Sequence, residues 1–435
     1  MTTTVDPAPG AAVAPARGGA PDAPPTARGP CGDRVRPLRA EEQRAANALF
    51  RAAVHLAPAT DDQWLLLAPG YQPQRCYGAF DPELVGVTQS VEASLTVPGL
   101  ARIPVAMVWN VGVRPDRTRR GILTELMCTQ LTDLAGHGVP AACLRSTEGG
   151  IYGRFGYGVA TVCRSYTVDR RRAQLRPEVP GGGKIQLLDL DAARSEVPAI
   201  YAGLAGSRPG MLSRPPVWWL ATEAAVTLGG SSPAAVGPLV VAAHHGPNGP
   251  DGYAVYRVEA AGSSAPRTLQ IGDLHAGTAQ AFAGLWRFML GVDLVDEIAV
   301  ACRPADEPIE LLFADPRACR VTTVTDECWL RLVDVPAALA ARTYSSDGPL
   351  VLEVSDPHLP GNNGRHTVSP EAVEPTDAPA ELRLDVEALA MAYLGTWRPT
   401  ALAAAGRIWA SSRAALAAAD RLFATPVASW TGATI

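Results

Sequence analysis

Lysine is almost absent from this 435-residue chain, Lys184 being the only one, so nearly all of its 38 basic residues are arginines. A GC-rich genome or recognition of planar anions would each produce that bias. A basic excess is also missing: 43 acidic residues leave a formal charge of −5, which argues against a dedicated nucleic-acid binder. No apolar run approaches the roughly 18 residues that span a bilayer, which excludes a membrane partner. The N-terminus has neither a basic n-region nor an apolar h-region, so the expected location is the cytoplasm. The eight cysteines, at 31, 76, 128, 143, 163, 302, 319 and 328, include no C-x-x-C and read as buried or incidental thiols. The seven histidines form no ligand cluster, and the pair His244-His245 reads as a strand end, so no metal is expected. A phosphate loop fails at PGGGK (180–184), because Glu178 and Ile185 stand where Gly and Ser/Thr are needed.

What is present is a large globular chain, with 47% hydrophobic residues and length for two to four domains at roughly 100–200 residues each. Residues 1–33 hold no Leu, Ile, Phe, Trp or Tyr and predict a disordered Pro/Ala/Gly-rich tail. The spacing predicts a helix over 41–56, buried through Ala45, Leu49, Ala52, Ala53 and Leu56. A strand meander over VGVTQSVEASLTVPG and a strand at 103–113 follow. From Gly121, the residues Leu123, Leu126, Met127, Leu131 and Leu134 fall on one helical stripe that stops at Gly136-His137-Gly138, and Ala141–Leu144 form a short apolar strand. The Gly-rich stretch 180–184 reads as an interdomain linker. Further strands are expected at 237–245, 251–260, 329–335 and 350–356, then a Pro/Asp/Gly-rich loop over 356–380 and Ala/Leu helices from 386 to 424. The composition is α/β and α+β.

Two segments are suited to chemistry. In VGVRPDRTRRGIL (111–123) a strand ends, four arginines gather, and a helix begins at a glycine. Unpaired N–H groups and the positive end of a helix dipole suit a pyrophosphate there, with Arg119 and Arg120 adding charge-assisted contacts. A solvated arginine turn has the same pattern. In STEGGIYGRFGYGVAT (146–161), five glycines surround Tyr152, Arg154, Phe155 and Tyr157, which requires turns and close backbone approach.

Together with SLTVPG (94–99), DGYAVYRV (251–258), WLRLVDVPAALAAR (329–342), LEVSD (352–356) and AYLG (392–395), these segments resemble the Eis-type acetyltransferases of actinobacteria, a branch of the GCN5-related N-acetyltransferase (GNAT) superfamily. The resemblance implies tandem GNAT-like domains followed by a sterol-carrier-protein-like domain, divided as a 34–165 acetyltransferase domain, a 166–318 domain without its own cofactor, and 319–435. It also implies a homohexamer.

By this resemblance, acetyl-CoA or another acyl-CoA is the co-substrate. Val111 and Val113 would hold its pantetheine arm through their backbone, and Arg119, Arg120, Gly121 and Ile122 its pyrophosphate. The first basic position of the pyrophosphate loop is Thr118 here, with Arg117 one residue earlier. Tyr152 corresponds to the general acid, and the terminal carboxylate, on Ile435, reaches the active site. With a reference pKa near 3.5 that carboxylate is a weak base for an ammonium, which makes it an orienting group. Trp64 matches an aromatic pocket residue, with Asp61 and Asp62 nearby. Thr434 stands where a carboxylate would assist a polycation. The expected reaction is transfer of an acetyl or acyl group to a primary amine of a small molecule or natural product, less cationic than an aminoglycoside. The alternatives are a GNAT scaffold turned to another acyl-CoA or another reaction, or a non-catalytic ligand-binding protein.

Overall fold

The computed structural model describes residues 34–227, 235–260, 266–345 and 348–433. The expected tail, Cys31, Thr434 and Ile435 lie outside the described residues. Three sheets organise the chain. The first has seven strands in the order Val35–Pro37, Cys76–Asp81, Glu83–Thr96, Arg102–Val113, Ala141–Leu144, Trp329–Leu332 and Gly158–Val159. Its alternation of side chains divides two cores. Ala106, Val108, Ala142 and Leu144 face the helix Ile122–Gly136, through Met127, Leu131 and Leu134. Val105, Met107, Ala141, Cys143 and Leu330 face the C-terminal domain, through Val335, Leu339 and Leu389.

The second sheet runs Cys319–Asp326, Val162–Asp169, Glu297–Pro304, Arg267–Ala276, Gly249–Ala260, Val240–Gly246 and Lys184–Leu188, with Ala235–Val236 paired onto Gly249–Ala260. The helices Leu190–Leu204 and Ala279–Leu290 pack on it. The third sheet, Val373–Pro375, Gly364–Val368, Leu350–Ser355, Leu382–Asp385 and Ile408–Ala410, carries the helices Val386–Tyr393, Pro399–Ala404 and Arg413–Leu422.

Several expectations are corrected. Residues 319–332, expected in the third domain, belong to the first two: Cys319–Asp326 pairs with Val162–Asp169, and Trp329–Leu332 inserts between Ala141–Leu144 and Gly158–Val159. The chain crosses between the first two sheets near Ala160, before 165. The glycines at 181–183 lie inside the central domain, where Gly183 packs so closely on His244 that a Cβ would collide with the imidazole. They are no linker. The expected meander is one strand, Glu83–Thr96, and the loop expected over 356–380 contains two strands.

The first helix is Gln43–Ala53, and its buried face is Gln43, Ala46, Asn47 and Leu49; of the predicted set Leu49 is buried, whereas Ala45, Ala52, Ala53 and Leu56 are not. Asn47 can sit inside because its Nδ2 donates to the Tyr71 hydroxyl at 3.0 Å. The helix ends before His55, which is left-handed with φ 60° and leaves Leu56 exposed.

Among the described residues, no helix is long and apolar enough to cross a membrane, and no group of His, Cys, Asp and Glu could hold a metal ion. The seven described cysteines are all free.

Candidate active site

The strand Arg102–Val113 pairs in parallel with Ala141–Leu144 only over Val105–Met107, and beyond that the two part. The separation is reinforced by a bulge against the neighbouring strand between Val87 and Gln89, at which Asn110 takes φ 50°. Asn tolerates that conformation, and its Nδ2 donates to the Tyr71 hydroxyl at 2.9 Å and to Gln89 Oε1 at 2.6 Å. The gap between the strands opens into a cavity of about 650 Å³ between the first two domains. Trp109, Asn110 and Val111 line one side and Leu144, Arg145 and Tyr152 the other. Val111 therefore lines the cavity, whereas Val113 packs with the cluster around Ile122.

After Val113 the chain makes a short turn, Pro115–Arg117, and reaches the helix through two left-handed residues, Arg119 (φ 62°) and Gly121 (φ 81°). A Cβ on Gly121 would meet nothing within 4 Å, so glycine is required by its dihedral and not by crowding. Gly121 is the N-cap and supplies no side-chain cap, leaving the first-turn N–H groups of Ile122–Gly136 without intrahelical partners. Left-handed residues in such a loop turn successive N–H groups toward one concavity. Arg119 and Arg120 are exposed, and among the described residues neither pairs with a carboxylate. The half-buried Arg117 lies 3.6 Å from Asp116. Ile122 is buried, which limits it to a backbone contribution. This cradle of N–H donors and free guanidinium groups fits a pyrophosphate.

The glycine loop owes its shape to what packs on it. Gly156 is left-handed (φ 82°), and a Cβ there would stand 2.6 Å from Val386. At Gly158 a Cβ would strike the Glu387 carbonyl. The helix Val386–Tyr393 of the third domain thus rests directly on this loop. Arg331, fully buried, donates to the Phe155 carbonyl at 2.7 Å and pairs with buried Asp356 at 2.7 Å. Tyr152 stands at the start of the short turn Gly153–Phe155, and its ring meets Tyr157 edge to face at 5.9 Å. Burial pushes the Tyr152 phenol up to about 12, so it keeps its proton at neutral pH and is available as a donor.

Of the expected acceptor residues, Trp64, Asp61 and Asp62 lie elsewhere, and Thr434 is outside the described residues. Trp64 does not line the cavity but packs on Tyr71, with ring centroids 5.4 Å apart. Asp61 and Asp62 begin the helix Asp61–Leu67, both exposed, and Asp61 pairs with Arg44. The walls are instead Phe50, Val54, Trp109, Trp218 and Trp219, with Arg214 and Asp273 from the central domain. The adjacent tryptophans of PVWWL were the available signal. The described chain ends at Ala433, which is buried in a segment led in by Trp430 and Thr431. Trp430 Nε1 donates to the Cys302 carbonyl at 2.8 Å, and the Gly432 carbonyl accepts from Arg214.

Known proteins share this architecture. Family models for an acetyltransferase (GNAT) domain match residues 34–160 and, as a second such model, 210–332; a sterol carrier protein domain matches 335–432. The N-acetyltransferase Eis of Mycobacterium tuberculosis is 37% identical over 387 residues, 86% of this chain and 91% of that protein. The chain belongs to the Eis family of GNAT N-acetyltransferases. An N-acetyltransferase of Streptomyces coelicolor is 40% identical, over 80% of this chain and 84% of its own length. The crystal structure of Eis1 from Mycobacterium abscessus superposes with a TM-score of 0.83 at 40% identity, covering 92% of this chain and all of that one. A GCN5-related N-acetyltransferase from Anabaena variabilis, 20% identical with a TM-score of 0.78, shares the fold. As an Eis-family enzyme the protein transfers an acyl group to an amine, and GNAT acetyltransferases use acetyl-CoA.

Proposed function

We propose that the protein transfers the acetyl group of acetyl-CoA to a primary amine of a small acceptor, held in the cavity between the first two domains and less cationic than an aminoglycoside. The observation that carries this reading is the lining of that cavity: three tryptophans and two carboxylates, each beside an arginine, Asp273 paired with Arg214 and Glu259 3.9 Å from Arg257. Bound acetyl-CoA supplies the activated thioester. Arg119, Arg120 and the N–H groups of Gly121 and Ile122 hold the pyrophosphate, and the backbones of Val111 and Val113 hold the pantetheine where the strands part. Tyr152, at the cavity wall, holds a proton for the departing sulfur. The apolar walls exclude water, which would otherwise compete with the amine.

The orienting role of Ile435, the place of Thr434 and the homohexamer belong to the same proposal. Appending residues after Ile435 tests the first, and light scattering tests the last. The acceptor class is tested by following thiol release from acetyl-CoA with neutral-ring monoamines and kanamycin-like polyamines at two salt concentrations. Higher kcat/KM for monoamines is expected. A tenfold advantage for polyamines that shrinks with salt overturns the acceptor class, since only an acidic pocket behaves so.

A further inference from the structure

Arg214 lies just before the helix Pro216–Thr227, with its side chain only 3% exposed. It grips Asp273 with two parallel bonds, Nη1 to Oδ2 at 2.6 Å and Nη2 to Oδ1 at 3.0 Å. Its guanidinium carbon lies 3.9 Å from the centroid of the Tyr201 ring, 4.1 Å from that of Trp218 and 5.0 Å from that of Trp219. Asp273 also accepts from the Tyr253 hydroxyl at 2.7 Å and lies 3.1 Å from His275 Nε2. Burial pushes His275 down to about 4, so at neutral pH it brings no charge. Burial alone would raise Asp273, but Arg214 and His275 outweigh it and hold the carboxyl well below the usual range. Asp273 is thus ionised, partly open to the cavity, and cancelled by one buried guanidinium. The other charged wall residues are Arg145, Arg257 and Glu259, the last two 3.9 Å apart.

We propose that Arg214 is the specificity-determining positioning residue of the acceptor cavity: by neutralising Asp273 and seating Trp218 and Trp219, it makes the cavity select aromatic, singly charged amines over polyamines. This rests on the acyl-transfer reading above. A cavity carboxylate with a spare charge attracts an ammonium, whereas one committed to a bidentate arginine has its lone pairs and its field already used. Releasing either partner should therefore shift acceptor preference, and in opposite directions.

The test compares kcat/KM for tyramine and kanamycin in the wild type, Arg214→Gln, Asp273→Asn and the double variant, with Tm and acetyl-CoA affinity measured alongside. Arg214→Gln is expected to move the kanamycin-to-tyramine ratio at least tenfold toward kanamycin, mainly through KM. Asp273→Asn, which leaves Arg214 uncompensated, is expected to move it at least threefold the other way, and the double variant to return within threefold of wild type. Arg214→Lys, which keeps the charge, should hold the ratio and provides a second variant if Arg214→Gln does not fold. A purely structural role would slow both substrates alike in every variant. Arg214→Gln and Asp273→Asn shifting the ratio in the same direction, or both leaving it constant within threefold, overturn the proposal while leaving acyl transfer intact. No thiol release by the wild type with any amine defeats the acyl-transfer reading instead.

Discussion

The two acetyltransferase-like domains share one unit, a strand, a helix and a parallel strand, yet they finish it differently. In the first domain the strand Arg102–Val113 reaches the helix Ile122–Gly136 through eight residues that carry four arginines and end in a left-handed, uncapped Gly121. In the central domain Arg267–Ala276 reaches Ala279–Leu290 through Gly277 and Thr278 alone. There Thr278 caps the helix, accepting from Ala281 N at 3.0 Å, and its hydroxyl donates to Asp251 at 3.0 Å. In the second case the Gly277 and Ala281 N–H groups are already occupied, by the Asp251 carbonyl and the Thr278 hydroxyl, and the Asp251 carboxylate stands beside them. The connecting loop decides whether the same α/β unit is suited to an anion or only to a scaffold, which is the physical basis for expecting one cofactor site and not two.

The sharpest way to break this comparison is through the chemistry that only the first domain is assigned. Tyr152→Phe should lower turnover by about 10²–10⁴-fold with acetyl-CoA affinity nearly unchanged, as for a donor acting mainly in the transition state. Steady-state kinetics with calorimetric titration of acetyl-CoA checks it, and near-normal turnover would remove Tyr152 from the reaction.

The domains also exchange strands, which makes their independence testable. Arg331, on the strand returned to the first sheet, pairs with Asp356 with neither side chain exposed. Arg331→Met should cost about 3–5 kcal/mol in urea unfolding, because it strands a buried charge. Partial recovery in Arg331→Met/Asp356→Asn would show that the lost stability came from that charge.

Glu327, on the same crossing, is fully buried and is raised to about 7 by burial, against hydrogen bonds from Thr431 and Thr161. The folded state holds this proton to higher pH than the unfolded chain, so stability falls as pH rises from about 4.5 through 7. Over that window the wild type should lose on the order of 3 kcal/mol relative to Glu327→Gln, which lacks the titration. Equal pH dependence of Tm in the two proteins would contradict it.

A smaller effect separates the two helix starts directly. Arg119→Ala should weaken acetyl-CoA by about 1–3 kcal/mol and leave unfolding almost untouched. Thr278→Ala should do the reverse, lowering stability by about 1 kcal/mol with acetyl-CoA affinity unchanged. Calorimetry and thermal unfolding on the same pair of variants read out both arms.

Much of the first domain was legible because its signals are local. The stripe from Leu126 to Leu134 fixes a helix face, Ala141–Leu144 is apolar throughout, and Gly121 marks a dihedral that other residues avoid. The glycine loop was legible as a close approach, but not what approaches it, since Val386 and Glu387 lie more than 200 residues away in sequence. The face of the first helix was misjudged because Asn47 is buried by a hydrogen bond to Tyr71, and hydrophobic spacing does not register such a partner.

By itself the sequence determined the helix after Gly121, the strand Ala141–Leu144, and the strand, arginine loop and helix that suit a pyrophosphate, because each depends on neighbours within a few turns of chain; the order of the three domains came from the family resemblance. Only the tertiary structure decided the cavity between the first two domains. Phe50, Trp109, Trp218 and Asp273 come from separate elements of two domains, and the charge that Asp273 presents depends on Arg214, 59 residues away. Neither Trp64 nor the acidic pair beside it reached that cavity, since proximity in sequence sets a residue's helix but not the surface that its helix covers.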